Sequence, residues 1–351
     1  MSVQKAIAIV SPKKEALVFD RPVPALRDEY ILVKTVSVAL NPTDWKHIDY
    51  ISPVGSLVGC DYAGIVEAVG KNVKKPFKKG DRICGFAHGS NLVQPEDGSF
   101  AEYIVVKGDI QMLIPDNVSF QEAATLGVGI TTIAQSLYQT LQLALPTQPL
   151  SKEQSVPILI YGGSTATGTL AIQFAKLSGY QVFTTCSPRN FDLVRRLGAD
   201  TVFDYKDPQA PKEIRKLTGD KLTLVLDNIS DEASAAFCDH ALSTSGGDYT
   251  ALLEKPGIQR ANVKSRSTLA YTAIGEYFEF KDFKIEAKPE DKEYAAMFWD
   301  ITSQLFAEGK LKAHPPKVNP GGLRGVLEGL NLMREDKVSG EKLVYNVDET
   351  N

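Results

Sequence analysis

Residues 59–64 read GCDYAG, and NPTDWKH stands shortly before them at 41–47. Cys60, Asp61 and His47 are all of zinc-ligand type. A metal there would stabilise an alkoxide or polarise a carbonyl, so the reading of these residues decides the chemistry. A second constellation, ILIYGGSTATG, lies at 158–168. An apolar run stops at Gly162-Gly163, small polar residues follow, and Gly168 opens a helical pattern. Glycines allow a sharp turn and a close approach of backbone to ligand. The helix start offers N–H groups and partial positive charge to a pyrophosphate. Ser164, Thr165, Ala166 and Thr167 are small enough to lie under phosphates, and their hydroxyls add donors. The spacing is not a strict G-x-G-x-x-G. Its weight comes from standing between strand and helix at the first βαβ unit of an alternating region. The next strand ends in CSPRN, with no carboxylate before Asp192. Asp or Glu at that point would hold the ribose 2′-OH of NAD. Ser187, Arg189 and Asn190 instead suit a 2′-phosphate, which predicts NADPH.

The elements that position these residues fall into two textures. Up to about residue 120, short β-rich runs (AIAIV, EALVF, YILVKTVSVAL, AGIVEAVG, DRICGFA, FAEYIVVK) are separated by Gly, Pro and Asp. They predict a compact, barrel-like β domain without helical periodicity until SFQEAATL, where Ser119 and Glu122 have capping-box spacing. After the polar segment 145–157, strand and helix patterns alternate through ILIYGG, GTLAIQFAKLSG, QVFTTCS, FDLVRRLG, DTVFDY, PKEIRKLTG and LTLVLDNIS. That alternation predicts a doubly wound parallel sheet. Its helices end at Gly179, Gly198 and Gly219, as left-handed caps do. Near the end, EYAAMFWDITSQLFAEG places Tyr294, Phe298, Ile301 and Leu305 on one helical face, and EKLVYNV is a final strand.

Composition sets the bounds. The chain has 351 residues, 43% hydrophobic and 23% charged, with a net charge of −4. That length predicts two domains. No basic stripe suggests nucleic acid, and no 18-residue apolar run suggests a membrane span. Four scattered cysteines without a C-x-x-C pair, and an N-terminus unlike a signal peptide, predict a reducing, cytoplasmic setting.

The order of domains, with NPTDWK, GCDYAG, GSFAEY, YGGSTATG, LGAD and SGEKLV, resembles the medium-chain dehydrogenase/reductase superfamily over essentially the whole chain. The similarity is closest to its zinc-free fungal branch. STAT followed by CSPRNFDL resembles the trans-acting enoyl reductases that work beside polyketide synthases. NPTDWKHID and AHGS…GSFAEY resemble the yeast-type quinone and enone reductases. The resemblance implies a GroES-like barrel over 1–122 and 312–351 and a Rossmann domain over 123–311. Zinc alcohol dehydrogenases of the superfamily carry ligands where this chain has Asn41, Cys60 and Val128, and retain the aspartate at Asp44. Cys60 alone cannot hold a catalytic zinc, which needs three strong protein ligands. It reads as a small buried hydrophobe. Without a Lewis acid, substrates that delocalise their own charge, such as α,β-unsaturated carbonyls and quinones, are favoured.

NADPH-dependent reduction of an enoyl or enone C=C bond is the first reading. Quinone or aldehyde reduction is the second, and a non-catalytic NADPH-binding accessory protein of a synthase the third. By the same resemblance Thr43, Asp44, Trp45 and Lys46 line the nicotinamide side of the site. Lys46 either binds cofactor or donates to the enolate oxygen, and surface lysine is its alternative. Thr132 falls near the nicotinamide, with helix capping as its alternative. Tyr50 is a candidate proton donor, against plain packing or protonation by solvent. Gly163 to Thr167 hold the pyrophosphate, and Ser187, Arg189, Asn190 and Tyr205 the 2′-phosphate end. Asn228 lies at the cofactor edge, and Leu252, Leu253 and Lys342 at the nicotinamide ribose and amide. Leu252 and Leu253 are equally explained by core packing, and His240 and His314 read as structural. The resemblance also makes YTAI the edge strand through which relatives dimerise. The aromatic, charged stretch 275–291 after it either covers that edge, favouring a monomer, or rims the substrate site.

Overall fold

Short runs rich in apolar and β-branched residues, several of them buried on both faces, build the first strands: β1 (Val3–Ser11), β2 (Lys14–Pro22), β3 (Tyr30–Ala39), β4 (Asp61–Val69), β5 (Arg82–Phe86), β6 (Tyr103–Lys107) and β7 (Gln111–Leu113). The computed structural model describes residues 2–151, 153–254 and 257–351. Between β3 and β4 the chain is helical rather than purely β, with α1 (Pro42–Lys46) running into a wider π turn over His47–Ile51. Pro42 at the first helical position starts it. Five residues are too few to show a 3.6-residue period, so the sequence pattern missed it. Next come α2 (Phe120–Ala123) and α3 (Gly127–Ile133). The expected capping box is present, with Ser119 N donating to Glu122 and Glu122 N to Ser119 Oγ.

The alternating region forms β8 (Pro157–Tyr161), α4 (Ala166–Leu177), β9 (Gln181–Cys186), α5 (Phe191–Arg196), β10 (Thr201–Asp204), α6 (Ala210–Leu217), β11 (Leu224–Asp227), α7 (Glu232–Ala241), β12 (Gly247–Ala251) and β13 (Val263–Ser267). Six parallel strands pair in the order β10-β9-β8-β11-β12-β13, the doubly wound order of a dinucleotide fold. Gly179, Gly198 and Gly219 all have positive φ, at 88°, 108° and 58°. The core of this sheet gathers Leu159, Phe183, Val225 and Tyr249 with Ile214, Phe237 and Cys238 of the helices.

The chain then adds a short hairpin, β14 (Phe278–Phe280) and β15 (Phe283–Ile285), α8 (Pro289–Ala307), β16 (Pro316–Asn319), α9 (Gly322–Arg334) and β17 (Lys342–Asn346). β16 and β17 complete a seven-stranded sheet in the order β16-β17-β3-β4-β5-β7, with β6 on β3. Its core joins Ile31, Val33, Tyr62, Phe100 and Ile104 to Leu323, Val326 and Leu330 of α9.

The chain divides into two units, 1–131 with 271–351, and 132–270. These limits differ from the expected 1–122 with 312–351, and 123–311. The reason lies in 271–311. Its helix α8 packs on β7 and on the turn Gly108–Ile110, both of the first unit. YTAI is not an edge strand either. Residues 270–274 form a 3₁₀ turn with Tyr271 buried, and β13 is the last strand of the parallel sheet. No helix among the described residues is long and apolar enough to cross a membrane.

Candidate active site

In the second unit, five of the expected binding segments follow the ends of successive strands. Gly162 to Thr167 follow β8, Ser187 to Asn190 follow β9, Tyr205 follows β10, Asn228 follows β11 and Leu252-Leu253 follow β12. They therefore gather along the carboxyl edge of one parallel sheet, where such folds bind ligands. The turn after β8 is built for close approach. Gly162 has φ +77°, and its N–H donates to Thr185 Oγ1 at 3.1 Å. A Cβ on Gly163 would fall 2.0 Å from Thr184 Oγ1, and one on Gly168 would fall 2.3 Å from the Gly162 carbonyl. Thr165 caps α4, accepting from Gly168 N at 3.0 Å and donating to the Gly162 carbonyl at 2.8 Å. The N–H groups of Ala166 and Thr167 begin α4 with no carbonyl one turn behind them. The cradle thus fits a pyrophosphate.

Ser164 Oγ accepts from Asn190 Nδ2 at 3.1 Å, which ties the turn to the segment after β9. Ser187 is half-buried and Arg189 exposed, so the guanidinium is open to a ligand. Tyr205 is 41% exposed. Asn228 is held by the Tyr161 carbonyl, through its backbone at 3.1 Å and its Nδ2 at 2.8 Å. Leu252 donates its N–H to Ser230 Oγ at 2.9 Å, and Leu253 is exposed. Asp227, not anticipated from sequence, fixes the loop after β11. It accepts from Ile229 N, Ser230 N, Ser234 Oγ and Tyr249 Oη.

In the first unit, α1 presents Thr43, Trp45 and Lys46 as half-buried residues. Partial burial lowers the Lys46 ammonium pKa, and its Nζ stands 5.8 Å from the Trp45 ring centre. Tyr50, 61% exposed, has its ring 6.1 Å from that of Trp45. Thr132, the first residue of the second unit, is buried on α3. Asp44 is the fourth residue of this group expected at the cofactor. It is buried, and its Oδ2 accepts from Asn41 N at 2.7 Å, closing the start of α1. Burial, with Asp61 nearby, pushes its carboxyl up to about 7.

Lys342, expected at the nicotinamide, has its ammonium donors taken inside the unit. Its buried Nζ donates to Asp61 Oδ2, to Asn41 Oδ1 at 2.8 Å and to the Thr125 carbonyl at 3.4 Å. Asp61 Oδ1 in turn accepts from Val128 N at 2.6 Å at the start of α3. Asn41 and Val128, the positions of two zinc ligands in zinc dehydrogenases, are thus drawn into a network around an ammonium. Among the described residues no group of three His, Cys, Asp or Glu side chains is placed to hold a metal ion.

Beside this network lies an aromatic cluster. Tyr271 Oη is 2.8 Å from Thr43 Oγ1 and 3.4 Å from Cys60 Sγ. His47 stacks on Tyr271 at 5.1 Å, and its Nε2 is 3.3 Å from Thr43 Oγ1. His88, Phe278 and Phe280 complete the cluster. Burial drives His47 down to about 4, so the ring is neutral at physiological pH. Tyr271 escaped the sequence reading because YTAI resembled a strand. The alternation of Phe278 and Phe280 was the available signal, and it reads as one face of a hairpin strand.

Comparison with known proteins agrees with this architecture. Residues 27–116 match the alcohol dehydrogenase GroES-like domain, and residues 166–248 match the zinc-binding dehydrogenase domain. The fold and the glycine cradle define a medium-chain dehydrogenase/reductase, a class that uses a nicotinamide cofactor. The chain is 63% identical to the trans-enoyl reductase TOXD of Cochliobolus carbonum, over 82% of this chain and 96% of that protein. It is 48% identical to the trans-enoyl reductase resD of Aspergillus sclerotiorum, over 98% and 100% of the two chains. The quinone oxidoreductase of Coxiella burnetii shares the fold, with a TM-score of 0.70 at 24% identity, covering 99% of this chain and 100% of that one. The chain belongs to the fungal trans-enoyl reductases of the medium-chain dehydrogenase/reductase superfamily.

Proposed function

We propose that this protein reduces the C=C bond of an α,β-unsaturated thioester with NADPH, without a metal, on substrates presented by a polyketide synthase. The relative at 63% identity, named a trans-enoyl reductase, carries the reading. The donor set supports the metal-free part. Asn41 faces an ammonium, which repels a metal cation, and Val128 has no ligand atom to offer. Ser187 and Arg189 after β9, with no carboxylate between them, support the choice of NADPH.

The glycine turn would hold a nicotinamide dinucleotide, which would supply a hydride equivalent for the β-carbon. The chain's residues do the rest. Gly163 to Thr167 hold the pyrophosphate, and Ser187, Arg189, Asn190 and Tyr205 hold the adenosine 2′-phosphate end. Thr43, Trp45, Lys46 and Thr132 orient the reacting end. Charge that develops on the thioester oxygen needs a hydrogen-bond donor, and the α-carbon needs a proton, for which Tyr50 is exposed and available. The test incubates the protein with NADPH and the trans-2-hexenoyl thioester of N-acetylcysteamine, then with the same acyl group on a carrier protein. Formation of the hexanoyl thioester, unaffected by prior dialysis against a chelator, is the expected result. Loss of activity on chelation would defeat the metal-free reading, and no saturated product from either substrate would defeat the enoyl reading.

A further inference from the structure

The loop after β5 contains a buried hydrogen-bond donor that the protein does not satisfy. His88 is 3% exposed, and its Nδ1 lies 3.3 Å from Asn91 Nδ2. The orientation of Asn91 is fixed by its other end. Its Oδ1 accepts from Val93 N at 2.9 Å and from Gln94 N at 3.1 Å, so Nδ2 is the amide nitrogen and can only donate. His88 Nδ1 is therefore the acceptor. Neutral imidazole has one N–H, and it must lie on Nε2. The ring is neutral, because burial and the neighbouring His47 hold its pKa well below the usual histidine range. Yet among the described residues His88 Nε2 has no hydrogen-bond partner.

A buried N–H left without an acceptor is destabilising. Its neighbours are rings: Tyr271 with centroids at 4.5 Å, Phe278 at 4.9 Å and Phe280 at 6.3 Å. Ring faces are weak acceptors. Tyr271 is also the residue whose hydroxyl bonds Thr43 on α1. The orphan donor thus stands one ring away from a residue that the family resemblance places at the nicotinamide.

We infer that His88 Nε2–H donates a hydrogen bond to the carbonyl oxygen of the α,β-unsaturated substrate, and holds that oxygen as it becomes an enolate. Asn91 is the positioning residue that fixes the tautomer. The inference rests on the enoyl reduction proposed above. When hydride adds to the β-carbon, the C=C π pair shifts to the Cα–carbonyl bond and the carbonyl π pair to oxygen. His88 keeps its proton throughout, and the α-carbon is protonated separately. A neutral donor suits this role, since it stabilises the oxygen without transferring a proton to it.

The test compares the wild-type enzyme with His88→Phe and His88→Gln, using NADPH and the hexenoyl thioester. Phe keeps an aromatic ring without a donor, and Gln keeps a donor without the ring. His88→Phe is expected to bind NADPH like the wild type but to lose about 10²–10³ in kcat, the loss seen when one oxyanion donor is removed. His88→Gln should recover part of that loss. A His88→Phe enzyme within about threefold of wild-type kcat overturns the proposal, as the same loss in both variants does. If His88→Phe does not fold, ¹⁵N-histidine spectra of the wild type with NADP⁺ and hexanoyl thioester decide. A protonated Nε2 that shifts downfield on binding supports the donor, and an unmoved signal refutes it. Wild-type protein inactive on every enoyl thioester would instead defeat the enoyl reading itself, and the spectra with bound thioester would still decide the hydrogen bond.

Discussion

At the scale of single residues, charge and burial set the expected behaviour. Arg189 is exposed at the end of the second parallel strand, where a 2′-phosphate is expected. A charge-assisted hydrogen bond contributes about 1.5–3 kcal/mol. Arg189→Ala should therefore weaken NADPH about 10- to 100-fold and leave NADH unchanged. Fluorescence titration with both cofactors checks this, and equal weakening would place Arg189 elsewhere. Asp44 gives a pH signature. Its folded pKa, about 7, lies above the ordinary carboxylate value. Between the two values the folded state binds more protons than the unfolded chain, so this contribution is full at low pH and is lost as pH rises through about 7. Urea unfolding from pH 5 to 8 should show wild type losing more stability than Asp44→Asn over that interval. Parallel curves would mean that Asp44 does not titrate there. These residues were unevenly legible. The 2′-phosphate candidates follow a strand and stand out by chain position. Asp44 and Lys342 matched family positions, but their burial depends on contacts between residues far apart in the chain, such as Lys342 with Asn41 and Asp61.

At the scale of elements, Lys342 fastens β17 to the start of α1 through Asn41, to β4 through Asp61 and to the segment before α3 through Thr125. Lys342→Met leaves a buried carboxylate without its partner, a loss of about 3–5 kcal/mol. Chemical denaturation should show that loss, with the folded fraction still binding NADPH as wild type does. A stable variant with weakened cofactor binding would return Lys342 to the nicotinamide. Lys342→Met with Asp61→Asn should recover part of the stability. The turn after β8 gives a second test. A methyl group on Gly168 meets a backbone carbonyl, which cannot rotate away. Gly168→Ala should cost about 1–3 kcal/mol by overpacking and lose most cofactor affinity. The strand–helix alternation made the parallel sheet readable, because each element there is long enough to show its period. The helical turns at 42–51 and 270–274 were not readable, being one or two turns long and set by tertiary packing.

At the scale of the whole molecule, the chain interrupts its first unit to build the second and then returns. The resemblance anticipated that return, while its limits depended on where α8 packs. The aromatic, charged stretch 275–291 was expected either to cover a sheet edge or to rim a substrate site. In the structure its Phe278 and Phe280 join the His88 cluster. The edge strand β13 carries exposed Lys264, Ser265, Arg266 and Ser267, and charged edges discourage strand pairing between molecules. Sedimentation should therefore give a monomer near 38.3 kDa, and a stable dimer would show that the edge pairs despite its charge.

The ammonium between Asn41 and Asp61 also bears on ancestry. In a lineage that once carried a metal, losing a ligand is readily reversed while the vacant position stays vacant. Here a cation belonging to the chain has taken up the neighbouring acceptors. Cysteines restored at 41 and 128 would meet that resident charge, and removing Lys342 alone would strand Asp61. Several changes would have to arrive together, so a single substitution at 41 or 128 would not by itself open this network to a metal.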